Sequence, residues 1–201
     1  LDGAGGGTAY KGIGGTSDRT VEAWIRTTNM NNQVVVRWGG TGAGEAWSMQ
    51  VNGGKLFLSV SSRSKTGTAD IADGNWHHIA ITFVDDGSPV IEEAIFYVDG
   101  QVDPESARTG ASFSTVITTN DVRIGNNTSS TQDFIGDIDE VRIWSVARTQ
   151  AEIQSKQFCT LAGTETGLEA YFNFDQGTAE ADNTGLTTLT DLTANNYNGT
   201  L

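Results

Sequence analysis

The sequence predicts an all-β protein, a two-sheet antiparallel sandwich with one short helix. Apolar side chains recur with period two in most segments, as in Thr20–Arg26. There Val21, Ala23 and Ile25 share one side of the strand. An Asn-Gly-Gly segment at 52–54 separates two further runs of this kind and is a strong hairpin signal. Strands do not alternate with long helices, which argues against a parallel sheet.

Each strand is predicted from an alternating or β-branched run bounded by turn residues. In chain order the predicted strands are Thr20–Arg26, Gln33–Trp38, Ala46–Val51, Lys55–Val60, Trp76–Val84, Glu93–Val98, Val122–Ile124, Phe134–Trp144 and Leu168–Phe174. The segment Arg148–Gln157 breaks the pattern and is predicted to be a short helix, because Thr149 and Glu152 have the spacing of a capping box. Short strands at steady spacing favour a sandwich. We expect a single domain over residues 1–201.

The charge of the chain excludes several classes of partner. The formal net charge is −13 and the sequence pI is about 4.3. Nucleic-acid binding needs a basic face that displaces counterions, so we expect no nucleic-acid partner and no docking on anionic lipid. No apolar run is long enough to predict membrane insertion. A solvated acidic surface explains most of the charge, and carboxylates that hold calcium could explain part of it.

Cys159 is the single cysteine of the chain. No intrachain disulfide can form, which is ordinary for an exported bacterial protein and unusual for an animal one. No neighbouring histidine would activate this thiol as a nucleophile. We therefore interpret Cys159 as a small buried apolar residue.

Four segments form a signature when taken together. They are Gly-Asn-Trp-His-His-Ile-Ala at 74–80, Phe-Tyr-Val-Asp-Gly at 96–100, Ile-Gly at 124–125 and Phe-Ile-Gly-Asp-Ile-Asp-Glu-Val-Arg-Ile-Trp at 134–144. In this order they resemble the laminin-G-like and pentraxin-like jelly rolls of the concanavalin A-like lectin and glucanase superfamily. The resemblance spans Thr20 to Ile153 and implies a jelly-roll sandwich of two antiparallel sheets.

The C-terminal segments resemble pieces that many relatives place elsewhere. Leu168–Asp175 is similar to a motif that usually precedes such a domain, and Asn195–Leu201 is similar to one that usually opens it. The resemblance implies a tandem array or a large exported protein, as in bacterial adhesins and polysaccharide-degrading enzymes. We expect a domain excised from a larger secreted or cell-surface bacterial protein, with the other domains of that chain as partners.

The segment Asp137-x-Asp139-Glu140 is the strongest enzyme candidate. Laminarinase-type glycoside hydrolases share the implied fold and carry E-x-D-x-x-E on one strand. Retaining glycosidases need two carboxyl groups about 5–5.5 Å apart, but the residue four after Asp137 is Val141. Simple alternation predicts Asp139 and Val141 on one face and Glu140 on the other. We therefore expect no glycosidase activity.

The resemblance implies a structural calcium ion near Asp2, Gly3 and Asp139. In similar jelly rolls the acid of the Ile-Asp-Glu segment and backbone oxygens near the first strand surround such an ion, and calcium accepts a mixture of carboxylate and carbonyl ligands. Four other acids near turns are interpreted as turn residues; they are Asp85, Asp86, Asp99 and Asp121. His77 and His78 are adjacent on a predicted strand, so they cannot chelate one metal together.

Tryptophans are the candidate sugar-binding residues. Trp76 and Trp144 lie inside the family signature and are expected in the core. Trp38 and Trp47 bracket the loop at 39–44 and are the candidates for a surface platform, although a core position for them stays open.

The sequence thus predicts a non-catalytic binding or adhesion module that recognises polysaccharide or a cell-surface glycan and holds calcium. One alternative is a structural spacer or adhesion repeat without a small ligand. A diverged glycoside hydrolase is a further alternative. Fold alone does not decide among them, because function depends on the site.

Overall fold

The computed structural model describes residues 1, 3, 6–110, 112–118, 120–127, 131–178 and 181–201. It confirms the predicted antiparallel sandwich and the single α-helix, within that part of the chain. The elements are β1 (Arg19–Arg26), β2 (Gln33–Gly39), β3 (Ala46–Asn52), β4 (Lys55–Ser59), β5 (Ser64–Thr66), β6 (Trp76–Phe83), β7 (Ile95–Val98), β8 (Gln101–Asp103), β9 (Ala107–Thr109), β10 (Arg123–Ile124), β11 (Asp137–Trp144), α1 (Gln150–Lys156), β12 (Leu168–Phe172), β13 (Thr188–Leu189) and β14 (Gly199–Thr200).

Two sheets face each other, and each contains six described strands. The first sheet has the order β12-β11-β1-β6-β7-β8, and the second has the order β10-β2-β3-β4-β5-β9. Strands β13 and β14 form a small separate pair. Every pairing between these strands is antiparallel, and the order of both sheets requires long connections between non-consecutive strands, as in a jelly roll.

The core lies between the sheets and follows the predicted alternation. On β1 the side chains of Val21, Ala23 and Ile25 are fully buried against Ile79 and Ile81 of β6. Successive side chains of a strand point to opposite faces. The intervening residues of β1 therefore lie on the outer face of the first sheet.

Some predicted boundaries differ from the structure. The strand predicted from Phe134 begins only at Asp137, because Gly136 has φ +144° and a side chain there would meet the carbonyl oxygen of Arg26. The strand predicted from Glu93 begins at Ile95, after a short 3-10 turn. The short strands β5, β8, β9, β13 and β14 are not predicted, because two or three residues do not establish a period.

Helix α1 covers part of the outer face of the first sheet. Its predicted capping box is confirmed: the Thr149 side chain accepts a hydrogen bond from the Glu152 N–H, and the Glu152 carboxylate accepts one from the Thr149 N–H at 2.7 Å. Ile153 is fully buried against Ala80 and Tyr97 of the sheet. The chain that follows the helix is thereby held against the same face.

The two ends of the chain lie side by side. The N–H of Gly3 donates to the carbonyl of Asn198 at 2.9 Å, and the N–H of Thr8 donates to that of Asn196 at 3.0 Å. The buried carboxylate of Asp191 organises the C-terminal turn by accepting bonds from nearby N–H groups. Of the helices in the described residues, none is both long and apolar enough to cross a membrane.

Candidate functional site

Trp38 and Trp47 lie at the centre of the core, so the prediction of a surface platform is wrong. They pair across strands β2 and β3 with ring centroids 6.1 Å apart, and they are 1% and 0% exposed. The Trp38 Nε1 donates to the carbonyl of Ile13 at 3.0 Å, while the Trp47 ring packs against Phe83 and Phe113. Neither ring offers a face to a ligand.

Exposed aromatic rings lie instead in an open cleft on the outer face of the first sheet. The cleft encloses about 320 Å³ beside the C-terminal end of α1. We name it the aromatic cleft; its lining residues are Trp24, Trp76, Asp139, Glu140, Gln157, Phe158, Cys159 and Thr160. Trp76 is 39% and Phe158 is 78% exposed. Aromatic walls with a few polar groups are typical of small-ligand sites.

Strand alternation and one hydrogen bond position Trp24. Because its neighbours Ala23 and Ile25 are fully buried in the core, the Trp24 ring lies on the outer face. Its Nε1 donates to the carbonyl of Gln157 at 2.8 Å, and its ring centroid is 5.4 Å from that of Phe158. These contacts attach the segment after α1 to the sheet and place two aromatic rings side by side.

Trp76 begins β6 and lies opposite Arg26 of β1. The Arg26 guanidinium is 5.1 Å from the Trp76 ring centroid, and its Nε is 2.9 Å from the Asp137 carboxylate. This cation–π contact orients the ring at an exposed position. The expectation that Trp76 is a core residue is therefore wrong, whereas the same expectation for Trp144, which is 2% exposed, is confirmed.

A β-bulge at Glu140 brings two carboxylates to the aromatic cleft. Glu140 has φ +51°, and the β1–β11 register shifts between Glu22 and Trp24. Asp139 and Glu140 consequently both line the cleft, while Val141 is fully buried in the core. The predicted alternation, with Asp139 and Val141 on one face, is wrong because the bulge adds one residue.

Both carboxylate oxygens of Glu140 have partners on the first sheet. The Tyr171 hydroxyl donates to them at 2.8 and 2.9 Å, and the Arg142 guanidinium donates to one of them. Burial, together with the hydrogen bond to Glu140, raises the pKa of Tyr171 to about 12, so this hydroxyl stays a donor at neutral pH. These bonds hold the Glu140 carboxylate in a fixed orientation beside the aromatic cleft.

Asp139 lies in a crowded negative field. Partial burial raises the pKa of its carboxyl, and the charges of Glu140 and Asp175 raise it further. Its Oδ1 accepts the Glu140 N–H at 2.8 Å. Perturbed carboxyl groups in clefts are typical of functional sites. This field favours a neutral or cationic ligand over an anionic one.

A buried ion cluster lies behind the cleft, on the face of the first sheet near α1. Its members are Glu22, His78, Arg142, Trp144 and Arg148. Glu22 is fully buried, accepts the Trp144 Nε1–H at 2.8 Å and lies 3.4 Å from His78 Nε2. Arg142 connects the cluster to the cleft, because it also binds Glu140 and the backbone carbonyls of Lys156 and Cys159. The cluster therefore holds the end of α1 and the segment that follows it on the sheet.

The predicted calcium ligands are not assembled by any described contact. Asp2 lies outside the described residues. Gly3 bonds to the Asn198 segment, whereas Asp139 lies in the aromatic cleft, and no hydrogen bond between described residues joins Gly3 to Asp139.

Another acidic group, in the described part of the chain, has a spacing that could hold a metal ion. It consists of Asp85, Asp86 and Glu93, whose ligand atoms lie within 4.8 Å of one another. Desolvation raises the pKa of Glu93, and the hydrogen bond and charge of Asp86 also raise it. These carboxylates therefore repel each other at neutral pH, and a hard cation would relieve that repulsion.

His77 and His78 both lie on β6, as expected; His77 bridges Asp73 and Asp99 at 3.1 and 2.9 Å, and His78 belongs to the buried ion cluster. Cys159 is exposed at the rim of the aromatic cleft, so its interpretation as a buried residue is wrong.

The family match agrees with the fold and with the sequence signature. The laminin G-type pattern of the concanavalin A-like lectin/glucanases superfamily matches residues 3–154. The chain therefore belongs to this superfamily. None of the curated protein sequences matches the chain.

Solved structures with the same fold include proteins that bind sugars. A candidate carbohydrate-binding protein of Bacteroides ovatus is 20% identical, with a TM-score of 0.70; the match covers 96% of this chain and 54% of that one. The CBM40 domain of a Ruminococcus gnavus sialidase, bound to α2,6-sialyllactose, is 13% identical with a TM-score of 0.53, over 73% and 93% of the two chains. A pentraxin of Limulus polyphemus is 14% identical with a TM-score of 0.51, over 76% and 75%. At these identities the likeness establishes the fold alone.

Proposed function

We propose that this domain is a non-catalytic carbohydrate-binding module and that the aromatic cleft is its glycan site. The observation that carries the proposal is the exposure of Trp76 and Phe158 beside the half-buried Trp24, in a cleft that polar side chains also line. Exposed aromatic clusters rimmed by polar groups mark binding sites. The sugar-binding structures that share this fold support the choice of ligand class.

The cleft has the two kinds of group that bind a sugar. Aromatic faces pack against the apolar C–H face of a pyranose ring, and Asp139 can accept hydrogen bonds from its hydroxyl groups. Thr160, at the rim, offers a hydroxyl that both donates and accepts. Because the field around Asp139 is negative, the proposed ligand is a neutral polysaccharide or surface glycan.

The variant Trp76→Ala tests this site. A glycan array identifies the ligands of the wild-type domain, and titration calorimetry then compares both proteins on the strongest one. We expect Trp76→Ala to weaken binding by about fivefold to 150-fold, because loss of an aromatic anchor costs roughly 1–3 kcal/mol. The variant Val102→Ala is the matched control, since Val102 is 51% exposed on β8, away from the cleft, and should bind as the wild type does.

Two results would contradict the proposal. Absence of any retained glycan would favour the alternative of a structural spacer or adhesion repeat. Release of reducing sugar from a bound polymer would favour the diverged glycosidase. We further propose that the domain belongs to a secreted or cell-surface bacterial protein, with the other domains of that chain as its partners.

We also propose that a calcium ion stabilises the domain. A ligand that binds only the folded state adds RT ln(1 + [L]/Kd), about 2.7 kcal/mol at ~100 times Kd. Thermal melting in millimolar calcium should therefore occur several degrees higher than in excess chelator. Asp139→Asn should abolish the shift if the ion lies near Asp2, Gly3 and Asp139. Asp86→Asn should abolish it if the ion lies with Asp85 and Glu93. Identical melting of the wild type in both buffers would refute the ion.

A further inference from the structure

We propose that the outer face of the second sheet carries a second ligand site, specific for a sugar residue with an anionic group. A pocket of about 140 Å³ lies there, several times the ~30 Å³ share of one water molecule. Polar side chains dominate its lining, which includes Asn32, Arg37, Ser48, Gln50, Ser59 and Gln132. It lies on the other sheet from the aromatic cleft, so the two sites are separate.

A continuous polar row crosses all six described strands of the second sheet at this pocket. Directly paired residues, read from β10 to β9, are Arg123, Arg37, Ser48, Ser59, Ser64 and Thr109. The neighbours Trp38, Trp47 and Met49 point into the core, so this row faces outward. The row thus begins with two guanidinium groups on β10 and β2 and continues with one hydroxyl group on each of the next four strands.

Two buried carbonyl oxygens in the pocket have no hydrogen-bond partner among the described residues. They are the Gln50 Oε1 and the Asn32 Oδ1. Gln50 is 4% exposed, and its Nε2 donates to the Ser48 hydroxyl at 2.7 Å. Leaving a buried polar atom unsatisfied is costly, so such atoms in native proteins usually have a role. Both accept hydrogen bonds, and the hydroxyl groups of a sugar would supply the donors.

The arginine end of the row is positively charged. Arg37 and Arg123 lie directly opposite each other on neighbouring strands, and an Arg37 Nη1–H donates to the side-chain oxygen of Asn127, which also lines the pocket. Burial lowers the pKa of Arg37, and the charge of Arg123 lowers it further. The guanidinium fork matches the paired oxygens of a carboxylate or a sulfate. Hydroxyl donors and one anionic group together describe a uronic acid or a sulfated sugar.

The second site and the aromatic cleft differ in the sign of their charge. Asp139 and Glu140 line the cleft, whereas two arginines lie on the row across the second sheet. The net charge of the chain is −13, so a locally positive site is opposite in sign to the chain as a whole. Such a site attracts anionic ligands. The proposed domain therefore binds neutral glycan on one sheet and acidic sugar on the other.

Amide NMR of the whole chain tests the second site. We titrate galacturonate, galactose 6-sulfate and galactose at matched ionic strength. Either acidic sugar, or both, should shift the amides of Arg37, Ser48 and Ser59 and the side-chain amide of Gln50. Galactose should bind there at least about tenfold more weakly. A response to galacturonate alone identifies the anion as carboxylate, and a response to the sulfate alone identifies it as sulfate. No shift of these signals with either acidic sugar, or equal shifts with galactose, overturns the proposal.

Variants separate binding from a general charge effect. Arg37→Gln should weaken binding of the acidic sugar about tenfold or more, and the half-buried Ser59→Ala about threefold. Lys55→Gln is the matched control, because it removes one positive charge from β4 of the same sheet outside the pocket. Trp76→Ala should leave this affinity unchanged. Wild-type affinity in both Arg37→Gln and Ser59→Ala would overturn the site.

Discussion

We expect Glu22→Gln to lower the free energy of unfolding at neutral pH by about 3–5 kcal/mol, because it removes the negative charge of the buried ion cluster. Glu22 is fully buried and lies 3.7 Å from an Arg142 nitrogen and 3.6 Å from an Arg148 nitrogen. Without the carboxylate these guanidinium groups stay buried with less compensation. Chemical denaturation of both proteins measures the difference. The control Asp137→Asn removes an exposed partner of Arg26 and should cost at most about 1 kcal/mol.

The effect of Glu22→Gln should depend on pH in a defined direction. Burial alone would raise the pKa of the Glu22 carboxyl, but His78 and the two arginines outweigh burial and hold that pKa below its ordinary value. A lowered pKa stabilises the folded state above the ordinary value of 4.5, and this stabilisation is lost as pH falls through the folded-state value. The wild type and the variant should therefore converge in stability in acid. A difference that is constant with pH, or that grows in acid, would contradict the role of Glu22.

Trp47→Ala should lower the free energy of unfolding by about 3–5 kcal/mol and leave the glycan affinity of the folded domain unchanged. Trp47 is fully buried among Trp38, Phe83 and Phe113, and the Arg19 guanidinium lies 5.1 Å from its ring. Removing the ring leaves a cavity that rigid β-strands cannot fill. The melting temperature should fall by roughly 2–4 °C for each kcal/mol lost.

The two core tryptophans should respond differently to phenylalanine. Trp38 Nε1 donates to the carbonyl of Ile13, whereas Trp47 Nε1 has no hydrogen-bond partner among the described residues. Trp38→Phe should therefore cost about 0.5–1.5 kcal/mol more than Trp47→Phe. Loss of glycan binding in a well-folded Trp47→Phe variant would show that this ring contributes to a ligand site after all.

The sheets could be predicted from sequence because half-buried strands impose a period of two. Val21, Ala23 and Ile25 already indicate the inner face of β1, and Trp24 is thereby assigned to the outer face. Whether an outer side chain is exposed depends on what covers it, and α1 with its following segment covers only part of this face. The sequence offers a weaker signal for Phe158, an aromatic residue that follows a short amphipathic helix.

The two proposed sites were harder to predict, for three physical reasons. The bulge at Glu140 requires a positive φ in a residue other than glycine, which no alternation pattern reveals, and it reverses the face of Asp139. The run Gln33–Trp38 is β-branched without alternation, so it does not show which face holds Trp38. The polar row on the second sheet depends on the register of six strands, and several of these strands are only two or three residues long.

The five tryptophans provide the most direct test of the aromatic cleft as the glycan site. Each contributes one indole N–H signal to a nitrogen–proton NMR spectrum, and single Trp→Phe variants assign them. On titration with the strongest ligand from the glycan array, the signals of Trp24 and Trp76 should shift, while those of the buried Trp38, Trp47 and Trp144 should not. Saturable glycan binding that leaves the Trp24 and Trp76 signals unmoved would contradict the central claim.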